Sequence, residues 1–208
     1  MYNPAHFTET RAEVLHALLR AHPLSTLVTL GADGMTANYI PMLLREGVGE
    51  HGALVGHVAR ANPVWRATDL EAPVLVLFQG AQHYITPSWY ATKAEHGKVV
   101  PTWNYAVVQV RGMLQIRDDA EWLRTQVTQL TQQQESSFAK PWAVDDAPRD
   151  YTDTMIKALV GIEIAITSIT GKWKVSQNQP PVNQATVVQG LQQLGTNAGQ
   201  AMAALVQR

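Results

Sequence analysis

One stretch constrains the fold more than any other. From Ala106 to Ile116, Ala106, Val108, Val110, Gly112, Leu114 and Ile116 fall on one face, with Gln109, Arg111, Gln115 and Arg117 on the other. Successive residues of a strand point to opposite sides of its sheet, so this period of two predicts a strand with one buried face. Val160, Ile162, Ile164 and Ile166 repeat the pattern. Apolar runs at 24–30, 36–44, 53–58 and 74–79 predict further strands, the first two joined by the turn Gly31-Ala32-Asp33-Gly34. The count is six or seven strands separated mostly by turns. That arrangement predicts an antiparallel sheet curling into a barrel, mainly β with flanking helices.

Helices are expected at the ends and edges. Residues 8–21 carry a capping-box spacing at Thr10 and Glu13 and an apolar stripe of Val14, Leu15, Leu18 and Leu19, ended by Pro23. A short helix at 63–68 is opened by Asn62 with Pro63 at its first position. Asp118 and Glu121 open another, with Trp122, Leu123, Val127 and Leu130 on one side. Residues 135–150 are polar and read as a loop, and Asp150 caps a short helix. A helix at 184–194 ends at Gly195, and a last short one follows.

Composition narrows the chemistry. The chain has 208 residues, a net charge of −1 and no Lys/Arg-rich block, so it lacks the electrostatic footprint of a strong nucleic-acid binder. It has no cysteine, which removes disulfides, thiolate nucleophiles and Cys-based metal sites, and leaves redox chemistry to a bound cofactor. None of the seven histidines forms a His-x-His or His-Glu-x-x-His arrangement, and no metal site is expected. No Gly-rich loop stands between a strand and a helix, so a Rossmann or P-loop reading has no support. The charged share of 16% is low for a free surface, which points to a face covered by a partner or a second copy. The opening Met1-Tyr2-Asn3-Pro4 does not read as a signal peptide and no apolar run spans a bilayer, so a cytoplasmic protein is expected.

Four segments mix polar and aromatic residues where a plain core strand would not. They are 56–65, 84–90, 100–105 and 171–178, and they hold four of the six tryptophans. A planar amphipathic ring needs aromatic walls with a few directed hydrogen bonds, and a phosphate needs fixed donors. In the first segment Arg60 supplies a forked cation, Asn62 an amide, and the helix after it a positive end. The plainer reading makes Arg60 a surface residue, Asn62 a cap and His57 structural, and spacing alone does not exclude it. The tryptophans equally suit a barrel-end core, and Lys172 and Lys174 suit a solvated strand end.

In these blocks the chain resembles the PaiB-type FMN-binding proteins, described as negative transcriptional regulators. The resemblance rests on Met1 to Phe7, His57 to Trp65, Tyr84 to Tyr90, Val100 to Tyr105, Gly161 to Ile164 and Gly171 to Asn178, in that order. It implies a six-stranded antiparallel split β-barrel of the FMN-binding type, over residues 1–178. Residues 179–208 are then a helical extension packing on the barrel or on a dimer partner. It also implies a homodimer with FMN at its interface. His57, Arg60 and Asn62 would hold the phosphate. Ser88, Trp89 and Tyr90, with Thr102, Trp103, Asn104 and Tyr105, would line the ring, and Lys172, Ser176 and Gln177 the rim. Residues 79–83 and Thr86 depart from the family pattern next to a ligand segment.

Three functions follow as expectations. The first is a flavin-binding regulator acting through DNA or, given the missing basic patch, through a protein partner. The second is a flavin-dependent oxidoreductase of the flavin-reductase or pyridoxine-phosphate-oxidase kind, with His57, Tyr90 and Tyr105 the side chains for proton handling. The third is a structural homodimer whose pocket has lost its ligand.

Overall fold

The computed structural model describes residues 1–207. Eight strands form one antiparallel sheet: β1 (Thr8–Glu9), β2 (Leu24–Gly31), β3 (Gly34–Pro41), β4 (Leu43–Arg45), β5 (Ala53–Ala59), β6 (Val74–Ile85), β7 (Thr102–Arg117) and β8 (Leu159–Lys174). The hydrogen-bonded order is β3-β2-β6-β7-β8-β5-β4, with β1 pairing the end of β8. The helices are α1 (Ala12–Ala21), α2 (Val64–Ala67), α3 (Lys93–His96), α4 (Ala120–Glu135), α5 (Arg149–Lys157), α6 (Pro181–Gln193) and α7 (Asn197–Val206).

The expected six strands are corrected to eight. The added strands are β1 and β4, two and three residues long, too short to carry a period of two. The expected strand 36–44 is two strands. β3 pairs β2 and β4 pairs β5, with only Met42 between them. The two ends of the sheet order are therefore consecutive in the chain. No ladder is formed between β3 and β4; at Met42 between them, the amide donates to the Pro23 carbonyl at 2.9 Å.

The chain divides into two compact units. Unit 1 is Met1–Leu18, Gln79–Val108 and Thr170–Arg208; unit 2 is Leu19–Phe78 and Gln109–Ile169. Unit 2 holds β2 to β5 and the adjoining parts of β6, β7 and β8. Leu27, Leu54, Val76, Phe78, Val110 and Ile162 are almost fully buried there, as the alternation predicts. Gly161 is needed in this unit, since a Cβ would stand 2.3 Å from the Trp122 ring. The outer face of β2 and β3 stays bare: Leu24, Leu30, Met35 and Tyr39 are all exposed, Met35 and Tyr39 by more than two thirds. In unit 1, Val187, Val188 and Leu191 of α6 and Met202, Ala203 and Val206 of α7 pack with Ile85 and Tyr90. Among the described residues no helix is long and apolar enough to cross a membrane.

Candidate functional site

Of the thirteen residues singled out from sequence, three lie in unit 2 and ten in unit 1. In unit 2, β5 presents His57 half-buried, its Nδ1 2.8 Å from Gln126 Oε1. Gln126 is fully buried on α4, and its Nε2 has no partner. Arg60 follows the strand. Its Nη1 and Nη2 donate to Asp118 at 3.0 and 2.5 Å, Nη2 also to the Leu159 carbonyl at 2.8 Å, and Nε to the Lys157 carbonyl at 2.9 Å. Most of its donors are thus already engaged. The bidentate contact with Arg60 holds the Asp118 carboxyl below the usual carboxylate range. Asn62 Oδ1 accepts from the Val64 amide at 2.9 Å, an Asx turn that starts α2, and Nδ2 donates to Asn38 Oδ1 at 3.0 Å. α2 is a single turn of four residues.

In unit 1 the sequence shapes each position locally. Thr86 and Pro87 form the start of a 3-10 turn, with Thr86 Oγ1 accepting from the Ser88 amide at 3.3 Å. That turn lays the Trp89 indole against Gly190, where a Cβ would be 2.5 Å from the ring. Tyr90 is buried, and Ser88 is exposed. Along β7 the residues alternate: Asn104 is buried, while Trp103 and Tyr105 point the other way. Trp103 is 52% exposed and meets Tyr84 of β6, 43% exposed, edge to face with ring centroids 6.1 Å apart. On the buried side Asn104 Nδ2 donates to Ser176 Oγ at 2.8 Å. Ser176 holds a left-handed φ of 66°, which a non-glycine residue adopts only under constraint. Gln177 braces the same bend, donating to the Trp173 carbonyl and accepting from the Val175 amide. Lys174 donates to Thr102 Oγ1.

Lys172 differs from the other cations. It is 7% exposed, and its Nζ donates to the Tyr2 carbonyl at 3.0 Å, with the Tyr105 and Tyr2 rings 5.4 and 5.6 Å away. It pairs with no carboxylate among the described residues. Sequence reasoning left it as a rim residue, because a Lys-Trp-Lys run gives no sign of which lysine is enclosed. It missed Tyr2 and Asn3 as site neighbours altogether. Asn3 Nδ2 donates to the Gly171 carbonyl at 2.9 Å, while Asn3 Oδ1 and Asn104 Oδ1 are buried without partners. Unit 1 also holds a groove of about 570 Å³ floored by Trp173, Val175 and Val206 with Gln177 at its edge. A cavity of about 810 Å³ between α4 and α5 contains none of the thirteen. No cluster of metal ligands occurs among the described residues.

An FMN ring asks for apolar walls, a few acceptors for its N–H and hydroxyl groups, and a cation for its electron-rich edge. The exposed Tyr84 and Trp103 rings, the half-buried Tyr105 and the buried Lys172 ammonium, which has no carboxylate partner, are groups of the kinds such a ring asks for, whereas Asn104 Oδ1 lies on the other side of β7.

Burial raises the Tyr90 phenol above its usual value near 10. The unfolded chain then ionises first as pH rises. This contribution to stability is intact below the ordinary tyrosine value and lost as pH climbs through the raised one. Tyr90→Phe is expected to flatten the alkaline fall in stability, measured as urea midpoints at about pH 8 and about pH 11.

The fold is that of flavin-binding split barrels. Over 80% of this chain and 73% of the other, it superimposes on the FAD and heme binding protein from Mycobacterium smegmatis with a TM-score of 0.57 at 18% identity. It matches the flavocytochrome Anf3 from Azotobacter vinelandii over 80% of this chain and 69% of that one, with a TM-score of 0.54 at 13% identity. Residues 1–168 match the family described as "Putative FMN-binding domain". The protein PAI 2 of Bacillus subtilis, a protease synthase and sporulation protein, is 30% identical over 92% of this chain and 89% of its own length. An uncharacterized protein of Emericella nidulans is 35% identical over 99% of this chain and 96% of its own. The chain belongs to this FMN-binding, PaiB-like family.

Proposed function

We propose that this protein is a homodimeric FMN-binding regulator of the PaiB type, reading flavin or redox state and acting through a protein partner. The observation that carries the FMN reading is the outward aromatic face of unit 1 beside a buried, unpaired ammonium. The thirteen residues from His57 to Gln177 are its proposed cofactor-binding set, with residues 1–178 as the flavin domain and 179–208 as its helical extension. The bare face of Leu24, Leu30, Met35 and Tyr39 supports a second copy of the chain as its cover. The regulatory reading draws on the likeness to the Bacillus subtilis protein and on the lack of a basic block for direct DNA reading. A second reading, a flavin-dependent oxidoreductase, is favoured by the exposure of Trp103 and Tyr84, which leaves a ring stacked there open to a second reactant.

The test is the visible spectrum of the purified protein, a titration with FMN, and its mass in solution. A flavin spectrum, saturable binding and a mass of two chains are expected. A colourless monomer that neither binds FMN nor gains melting temperature from it ends the proposal. Anaerobic NADH or NADPH separates the two readings, since bleaching of bound flavin establishes the reductase.

Arg60→Ala tests the phosphate assignment. FMN affinity is expected to fall about tenfold or more, with riboflavin affinity unchanged, because a charge-assisted contact to phosphate is lost. Equal loss for both ligands places the role of Arg60 in its contacts with Asp118 and the Lys157 and Leu159 carbonyls instead.

A further inference from the structure

Among the described residues of unit 1, Lys172 is the one enclosed cation whose partners do not match its charge. An ammonium has three donors and is strongly hydrated, so enclosing it without a carboxylate is costly unless a ligand completes its shell. Here it has one carbonyl, that of Tyr2 at 3.0 Å, and two ring faces. The carbonyl belongs to the segment before β1, held by Asn3 donating to the Gly171 carbonyl, by the buried Phe7 and by the β1 pairing with Gly171 and Lys172 at Thr8 and Glu9, none of which engages the Tyr2 side chain. Tyr2 is 85% exposed, so little apolar burial holds it over the ammonium.

We propose that Lys172 is the seat for the electron-rich edge of a planar ring, and that Tyr2 is a cap which leaves it when the ring binds. The inference rests on the FMN reading above and gives this residue a role within it. The neighbours decide which part of the ligand meets Lys172. Tyr105 lies against the ammonium, and Trp103, two residues away on the same face of β7, meets Tyr84. Aromatic walls suit a ring and not a phosphate, which calls for amide donors and arginine forks. When the oxidised ring takes up two electrons and one proton from a reductant, it gains one negative charge. A cation at its pyrimidine edge stabilises that reduced form over the oxidised one. Lys172 thereby raises the readiness of bound FMN to accept electrons.

The experiment compares the full-length wild-type chain with Lys172→Met and Lys172→Arg. Replacing an enclosed charge by an apolar side chain of similar volume is often neutral for folding. Circular dichroism and melting temperature check this, and the arginine variant keeps the charge if methionine fails. FMN and riboflavin are titrated into each chain, and bound FMN is reduced with dithionite against a reference dye. Lys172→Met is expected to bind FMN more weakly and, when loaded at saturating FMN, to show a reduction equilibrium at least tenfold lower, about 30 mV for a two-electron couple. Lys172→Arg is expected to stay within about threefold of wild type, about half that tenfold shift on a logarithmic scale. Hydrogen exchange at residues 1–7 is expected to rise on FMN loading of the wild-type chain.

An unchanged equilibrium in FMN-loaded Lys172→Met overturns the seat. So does a loss of affinity for FMN but not riboflavin, which puts the phosphate there. Unchanged exchange at residues 1–7 overturns the cap. A wild-type chain that binds no flavin fails the FMN reading itself, a result distinct from all of these.

Discussion

Leu191→Ala is expected to destabilise the protein by about 2–5 kcal/mol, the range for removing a large aliphatic side chain from a packed site. Leu191 is fully buried at the centre of the cluster that joins α6 and α7 to Ile85 and Tyr90. At the preceding residue, Gly190 lets the Trp89 indole in so closely that little collapse into the new cavity is available. The loss should therefore fall toward the upper end of the range. It reaches the proposed site as well, because Ile85 directly follows Tyr84 on β6. Urea unfolding followed by tryptophan fluorescence gives the stability change, and FMN affinity should fall in parallel. Full FMN affinity in a clearly destabilised variant would show that the aromatic face is held independently of the helices.

Trp103→Ala carries the second large effect. Stacking of a heteroaromatic ring on an aromatic side chain is worth about 1–3 kcal/mol, so FMN affinity is expected to drop by about fivefold to 150-fold. The fold should survive, since a half-exposed ring on the outer side of a strand leaves no cavity behind. Riboflavin should lose as much as FMN, the opposite of the pattern expected for Arg60→Ala. Fluorescence titration of both ligands checks it. Unchanged affinity would move the ring to another wall, the groove beside Trp173 being the alternative in unit 1.

The parts of the fold that were legible in sequence are those where one physical pattern acts alone. The alternation at 106–116 marked β7, though the strand runs from Thr102 to Arg117. Its first residues read instead as a ligand block, because Trp103 and Asn104 break the apolar rhythm. Residues 171–174 continue β8, in keeping with the strand end read for Lys172 and Lys174. At α1 the capping box was misplaced. The helix begins at Ala12, and Glu9 Oε1 accepts from the Thr10 and Arg11 amides, so an acid before the expected cap satisfies the first donors. At α4 the cap is Asp119, one residue beyond Asp118, because Asp118 is drawn to Arg60.

The candidate site was less legible for a different reason. Sequence identifies residue types suited to a flavin but not their present partners. Arg60 looked like a free fork, and a contact 58 residues away occupies it. Lys172 and Lys174 look alike in sequence, yet one is enclosed by Tyr2 and Tyr105 while the other hydrogen-bonds to Thr102. Such differences depend on contacts distant in the chain, which no local spacing encodes.

The single residue between β3 and β4 ties two alignments together. Because a strand's side chains swap faces with each one-residue slip, a shift of β3 against β2 would drag β4 along β5 through Met42. Slack to absorb such a slip is missing there: a Cβ at Gly56 would lie 2.9 Å from both Met42 Sδ and the Pro41 carbonyl. The two outermost ladders of the sheet thus share one setting, and an error in either is penalised in both.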